Sequence, residues 1–242
     1  MLTNTQINDF FNEVTSAYNA AAHLITEDTI RSLLIKAMKV PASDIEIEVP
    51  YVVNPGRKTN GKKNYTPIKV LNSKWFNSER NRADIYYSTD DMVIEVKYHR
   101  ETPYSDSCTT SKAGEVFNDL NRLSMIDAKN KYFVYVFDDG MYNTYNGDKI
   151  NYNATILKTT FNIGDTAVID NNYPITSTSK KVKNFKENAF KTFKDKYSDF
   201  SCFNYKVKCV YNANIVSQKL WCIILEVEKN KIVTSDLELQ EC

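Results

Sequence analysis

Residues 131–138, KYFVYVFD, are apolar at nearly every step. Successive side chains of a β-strand point to opposite faces, so a strand with one wet face alternates polar and apolar residues. A strand without that alternation has to be covered on both faces. The chain must therefore place a layer above this strand and another below it. That demand excludes an isolated hairpin or a one-sided sheet.

Helices are available to form the layers. Residues 26–39, TEDTIRSLLIKAMK, set Ile30, Leu33, Leu34, Ala37 and Met38 on one stripe at helical spacing, and Pro41 stops the run. Residues 113–128, AGEVFNDLNRLSMIDA, predict a helix with Val116, Phe117, Leu120 and Leu123 on its apolar side, and residues 5–23 predict another. Residues 44–53, DIEIEVPYVV, alternate as a strand does, and residues 81–101, NRADIYYSTDDMVIEVKYHRE, read as a β-hairpin. The order is helix, strand, strand, strand, helix, strand. The strand–helix–strand passage between 92 and 137 implies a parallel pair joined by a right-handed crossover.

Beyond residue 139 the pattern is looser. Residues 154–170 suggest strands, 182–197 a basic helix, and 204–216 with 219–229 a second hairpin. There is no internal repeat and no clean linker. The expectation is an α/β fold in one domain over 1–242: a mixed sheet flanked by helices at 26–138, and an α+β elaboration at 139–242.

Composition narrows the class. Apolar residues make up 42% of the chain, with 16 Tyr and 12 Phe, enough for a sizeable core and too much for a disordered chain. The N-terminus, MLTNTQINDFF, lacks the basic and apolar regions of a signal peptide, and no apolar run approaches the ~18 residues of a membrane span. Five cysteines (Cys108, Cys202, Cys209, Cys222 and Cys242) without CxxC spacing fit free thiols in a reducing interior. These features predict a soluble cytoplasmic protein with no membrane partner. Net charge is only +1, yet residues 51–83 carry eight Lys or Arg against Glu79, and residues 180–196 carry seven Lys against Glu187 and Asp195. Basic segments in a near-neutral chain point to an anionic partner on one surface, or simply to solvated loops.

The hairpin carries the chemistry. On its second strand Met92, Ile94, Val96 and Tyr98 point one way, and Val93, Glu95, Lys97 and His99 the other. A turn centred between Thr89 and Asp90 sets Asp84 directly across from Glu95, with Cβ atoms about 5 Å apart. Opposed like charges destabilise a sheet, and a divalent cation removes the repulsion. Mg²⁺ takes oxygen ligands, uses one or two carboxylates, and leaves its other positions to water and phosphate. Lys97, one step along, would then stand beside a water and a phosphate oxygen, an arrangement able to hydrolyse a phosphodiester.

Asp84, ten intervening residues, and then Glu95-Val96-Lys97 resembles the signature of the PD-(D/E)XK nuclease superfamily. The element order of residues 26–138 resembles that superfamily's restriction-endonuclease-like core. Ala83 stands where the family often has proline. The resemblance implies a Mg²⁺-dependent endonuclease (Mn²⁺ substituting) acting on DNA, restriction-type and often a homodimer. It implies Asp84 and Glu95 as metal ligands and Lys97 as a catalytic residue. An acidic residue of the first core helix often joins the metal site; Glu27 fits best, with Asp28 and Glu13 as weaker choices.

Other residues are candidates for contact with nucleic acid. His99 shares the face of Lys97. Arg57, Lys58, Lys62 and Lys63 lie in a long basic loop, roughly 54–80, that also carries Tyr65, Trp75 and Phe76 for stacking on bases. The loop is long enough to suggest a function of its own. Glu115, Asp119 and Arg122 follow on the next helix, and Asp119 and Arg122 have the spacing of a helix-surface ion pair. Two other readings stand beside the enzyme. One is a catalytically silent nuclease-fold module that binds nucleic acid or protein. The other is a structural or interaction protein whose hairpin charges decorate its surface.

Overall fold

The computed structural model describes residues 1–52, 68–69, 82–100, 106–146, 155–170, 173, 204–217 and 219–231. Helix α1 (Asn4–Ala21) opens with a capping box in which the Thr3 side chain accepts from the Gln6 amide and Gln6 answers to the Thr3 N–H. Helix α2 (Glu27–Met38) begins the same way at Thr26 and Thr29, with Glu27 and Asp28 in its first turn. It ends at Lys39, which takes a left-handed conformation (φ 53°) two residues before Pro41.

The strands are β1 (Ile45–Val52), β2 (Ile68–Lys69), β3 (Arg82–Tyr87), β4 (Met92–His99), β5 (Asn130–Asp138), β6 (Thr166–Ile169), β7 (Tyr205–Val216) and β8 (Leu220–Val227). They form one mixed sheet in the order β2-β1-β3-β4-β5-β8-β7-β6. Helix α3 (Asp106–Ser124) carries the chain from β4 to a parallel β5, as the crossover requires. The β7–β8 hairpin is antiparallel and joins the sheet beside β5, so the C-terminal strands extend the sheet.

Two cores account for the unbroken apolar run in β5. Tyr132, Val134 and Val136 pack with α1 and α2 on one face, against Phe10, Ile30 and Leu34. Phe133, Tyr135 and Phe137 pack on the other face with Val116, Phe117 and Leu120 of α3 and Met141 of α4 (Asp139–Asn146). All six of these β5 residues are at most 1% exposed, and burying an aromatic or branched side chain of this kind contributes about 1.5–3 kcal/mol.

Some boundaries differ from expectation. Helix α3 starts at Asp106, before the expected start at 113, and stops at Ser124, before the expected end at 128. There the chain tightens into i→i+3 bonds, Met125 N–H to Arg122 O and Ile126 N–H to Leu123 O. The short, polar α4 gave no apolar periodicity to read. Among the described residues of 154–170 only β6 is a strand, and Thr155–Leu157 is a 3₁₀ turn. The expected basic helix at 182–197 lies outside the described residues, as does the 54–80 loop apart from β2. No helix among the described residues is long and apolar enough to cross a membrane.

One irregularity positions the site. The β1–β3 ladder pairs Ile47 with Ile85 and Val49 with Ala83, but skips the pair between them, Glu48 and Asp84. Glu48 is left-handed, at φ 54°. In a regular strand Ile45 and Val49 would share a face; here Ile45 lies against the α1–α2 core and Val49 within the α3 core. The same inversion separates Ile85 from Ala83. Asp84 therefore sits where two strands roll over together.

Candidate active site

The register places Tyr87, Tyr86 and Ile85 opposite Met92, Val93 and Ile94, and the β3–β4 pairing then stops. This is the register of a turn centred between Thr89 and Asp90. Among the described residues, β4 from Glu95 onward pairs with β5 on one side only. The open edge is closed by side chains. Asp84 Oδ2 accepts from the Val96 N–H at 2.7 Å, and Glu27 Oε2 accepts from the Tyr98 N–H at 3.3 Å. Two carboxylates thus stand in for the carbonyls of a missing strand.

The α3 face of β4 is apolar at Val93 and polar from there on: Glu95, Lys97, His99. Glu95 is only 3% exposed. Its carboxyl lies close enough to that of Asp84 to pull the Asp84 pKa down, and Arg122 lies 3.8 Å away. Burial pushes the Asp84 carboxyl above the usual carboxylate range, against the opposing pull of the Val96 N–H, Arg31 and Glu95. Asp84 Oδ1 lies 2.9 Å from an Arg31 nitrogen.

Lys97 is enclosed by carboxylates. Its Nζ is 3.4 Å from Glu27 Oε2 and 3.4 Å from Asp119 Oδ2. Burial disfavours its charge, but Asp119, Glu27 and Glu115 outweigh that and raise its pKa above that of a free lysine. Lys97 is held as an ammonium.

His99 is 6% exposed, and both ring nitrogens are engaged: Nδ1 with Tyr135 Oη at 3.1 Å and Nε2 with Glu115 Oε2 at 3.0 Å. Tyr135 in turn meets Tyr145 Oη at 2.8 Å. The histidine expected to face phosphate stands behind Lys97 as a link in a buried chain. Glu115 is held below the usual carboxylate range by the hydrogen bond from His99.

The structure brings Glu27, Asp84, Glu95 and Lys97 together. Asp28 is exposed beside Arg31, and Glu13 pairs with Lys36 away from the site. Arg57, Lys58, Lys62 and Lys63 lie outside the described residues. Asp119 and Arg122 do pair, but not on the helix surface: Asp119 is 4% exposed and faces Lys97. With Glu115 they occupy positions i, i+4 and i+7 of α3, a polar stripe beside the apolar one, which is the signal that α3 meets a charged partner. For Arg31 the local i, i+3 spacing shows only Asp28; its shorter pairs, with Glu48 of β1 and Asp84 of β3, had no signal in the sequence.

Among the described residues, no group of three or more His, Cys, Asp or Glu is placed to hold a metal ion. The site does provide one close carboxyl pair, Asp84 and Glu95; two carboxylates brought together repel unless one is protonated or a cation sits between them. That donor set suits Mg²⁺, which needs only one or two carboxylates beside water and phosphate oxygens. No family model matches the chain, and neither a curated protein nor a solved structure matches it.

Proposed function

We propose that this protein is a Mg²⁺-dependent endonuclease of the PD-(D/E)XK type that hydrolyses phosphodiester bonds in DNA. The observation that carries the reading is the contact between the Asp84 and Glu95 carboxyls where β3 leaves β4, with Lys97 two residues on. A bound Mg²⁺ would draw charge from the scissile phosphate and acidify the attacking water. Asp84 and Glu95 would hold that ion, with Glu27 close by at Lys97.

Lys97 keeps its proton, so its role is to orient water and neutralise charge developing on phosphate, not to remove a proton. Asp119 and Glu27 hold the ammonium from two sides and so fix where it points. Arg122 and Arg31 balance the carboxylates that remain.

The test is incubation of supercoiled plasmid, linear duplex, single-stranded DNA and RNA with Mg²⁺ or Mn²⁺, beside the Asp84→Ala variant. Divalent-dependent cleavage of DNA that the variant lacks supports the reading. Equal cleavage by both proteins, or none under any metal, rejects it. One observation favours a second reading: Arg31 and Arg122 already neutralise Asp84 and Glu95. A silent nuclease-fold module would keep those pairs, bind nucleic acid in the presence of chelator, and cut nothing.

A further inference from the structure

We propose that Arg31 is a displaceable counter-cation: it holds Asp84 before a divalent ion binds, then stays on Glu48 and turns its freed nitrogen to a backbone phosphate of DNA. This rests on the nuclease reading of the site.

The argument begins with the two oxygens of Asp84. Oδ2 already accepts from the Val96 N–H, so an ion that ligates Asp84 without disturbing that bond approaches Oδ1. Arg31 occupies that oxygen at 2.9 Å. A cation that binds Asp84 therefore competes with Arg31, a residue one helical turn beyond Glu27 on α2.

Glu48 provides the alternative partner. Its Oε1 lies 2.6 Å from the other terminal nitrogen of Arg31. A left-handed glutamate costs on the order of 1 kcal/mol and persists only where its surroundings impose it. Glu48 holds that conformation at the skipped pair opposite Asp84. If Arg31 served only to neutralise Asp84, one carboxylate would suffice. Glu48 holds Nη1, while Nη2 meets Asp84 at 2.9 Å and Asp28 only at 3.5 Å, so the guanidinium can release Asp84 and stay anchored on Glu48.

Released, Arg31 is well suited to phosphate. Its side chain is 12% exposed, Asp28 and Glu48 border it, and its Nε is buried without a partner. A planar guanidinium binds phosphate through two parallel N–H donors, which a lysine cannot reproduce. The residue would move from a carboxylate to the substrate as the ion takes its place.

The experiment uses the full chain. Mn²⁺ binding is measured by calorimetry without DNA, and affinity for a labelled duplex by anisotropy in Ca²⁺. Arg31→Gln is expected to bind Mn²⁺ about fivefold to tenfold more tightly and the duplex about tenfold more weakly. Arg31→Lys, with a point charge in place of the fork, is expected to tighten Mn²⁺ binding about threefold and to recover part of the duplex affinity. Lys36→Gln, an exposed charge removed from the same helix, should change neither by more than about twofold.

An Arg31→Gln protein with unchanged Mn²⁺ affinity, or with tighter Mn²⁺ but unchanged duplex affinity, overturns the assignment. Should that variant fail to fold, an Arg31→Lys protein equal to the parent in both measurements overturns it. A parent that binds Mn²⁺ no better than Asp84→Asn instead refutes the metal reading of the site, and the Arg31 assignment with it.

Discussion

The ammonium of Lys97 lies 3.4 Å from Asp119 Oδ2, joining the open edge of β4 to the helix that covers it. Glu27 completes the enclosure from the opposite layer of the protein. A lysine held between carboxylates from both layers is a fixed charge, and its position is set by the fold.

Lys97→Met should therefore separate chemistry from binding. Loss of one preorganised donor at a phosphate lowers the rate about a hundredfold to a thousandfold. Plasmid nicking rates are expected to fall by that amount while calorimetric Mn²⁺ affinity stays close to that of the parent. Equal loss of both would make Lys97 a structural residue.

Glu27 performs two tasks that substitution can divide. Glu27→Gln keeps an acceptor for the Tyr98 N–H and loses the charge beside Lys97. Glu27→Ala loses both. The alanine variant should lose about 1–2 kcal/mol in urea unfolding and the glutamine variant under about 1 kcal/mol. Both should slow cleavage, and similar unfolding curves for the two would show that the Tyr98 contact contributes nothing.

Tyr135→Phe removes the hydroxyl that joins His99 to Tyr145. His99 Nδ1 and the Tyr145 hydroxyl each lose a buried hydrogen bond, at a cost of about 1–3 kcal/mol. Thermal unfolding should show the loss, and Mn²⁺ affinity should not change, since the hydroxyl bonds His99 and Tyr145 and is not one of the proposed ligands.

Lys131 carries a pH dependence away from the site. It is 2% exposed, donates to the Ile126 carbonyl at 3.2 Å, and its pKa is pushed down to about 7, first by burial and then by Lys229, against Asp127 and Glu228. The unfolded chain holds this proton to about pH 10.4, whereas the folded chain releases it near neutrality. More protons bind the unfolded state between those values, so the penalty is fully present below pH 7 and is relieved as pH rises towards 10. Lys131→Met should be more stable than the parent at pH 6–7 by about 1–3 kcal/mol, with a flatter profile up to pH 10. Parallel profiles in chemical denaturation would reject this account.

The legible part of the protein is the part written in local spacing. The apolar run at Tyr132–Phe137 required two cores, and α1–α2 and α3–α4 supply them. The turn at Thr89–Asp90 set the register of Tyr87, Tyr86 and Ile85 on Met92, Val93 and Ile94, because side-chain period and turn position together leave little freedom, but the ladder stops before the expected pair of Asp84 with Glu95. Glu27, placed by its helical face, does point inward. Asp119 and Arg122 were legible as a pair, but their burial was not, since i, i+3 spacing is the same on a wet or a dry face.

What the sequence by itself determined is thus the element order of residues 26–138, the two-sided sheet and the shared face of Glu95 and Lys97, all consequences of periodicities two to four residues long. Only the tertiary structure decided that β3 leaves β4 at Ile85, that Glu48 turns left-handed opposite Asp84, and that Arg31 bridges the two. Those outcomes depend on which layers meet at a strand edge. That is a property of packing between segments far apart in the chain, and no local spacing encodes it.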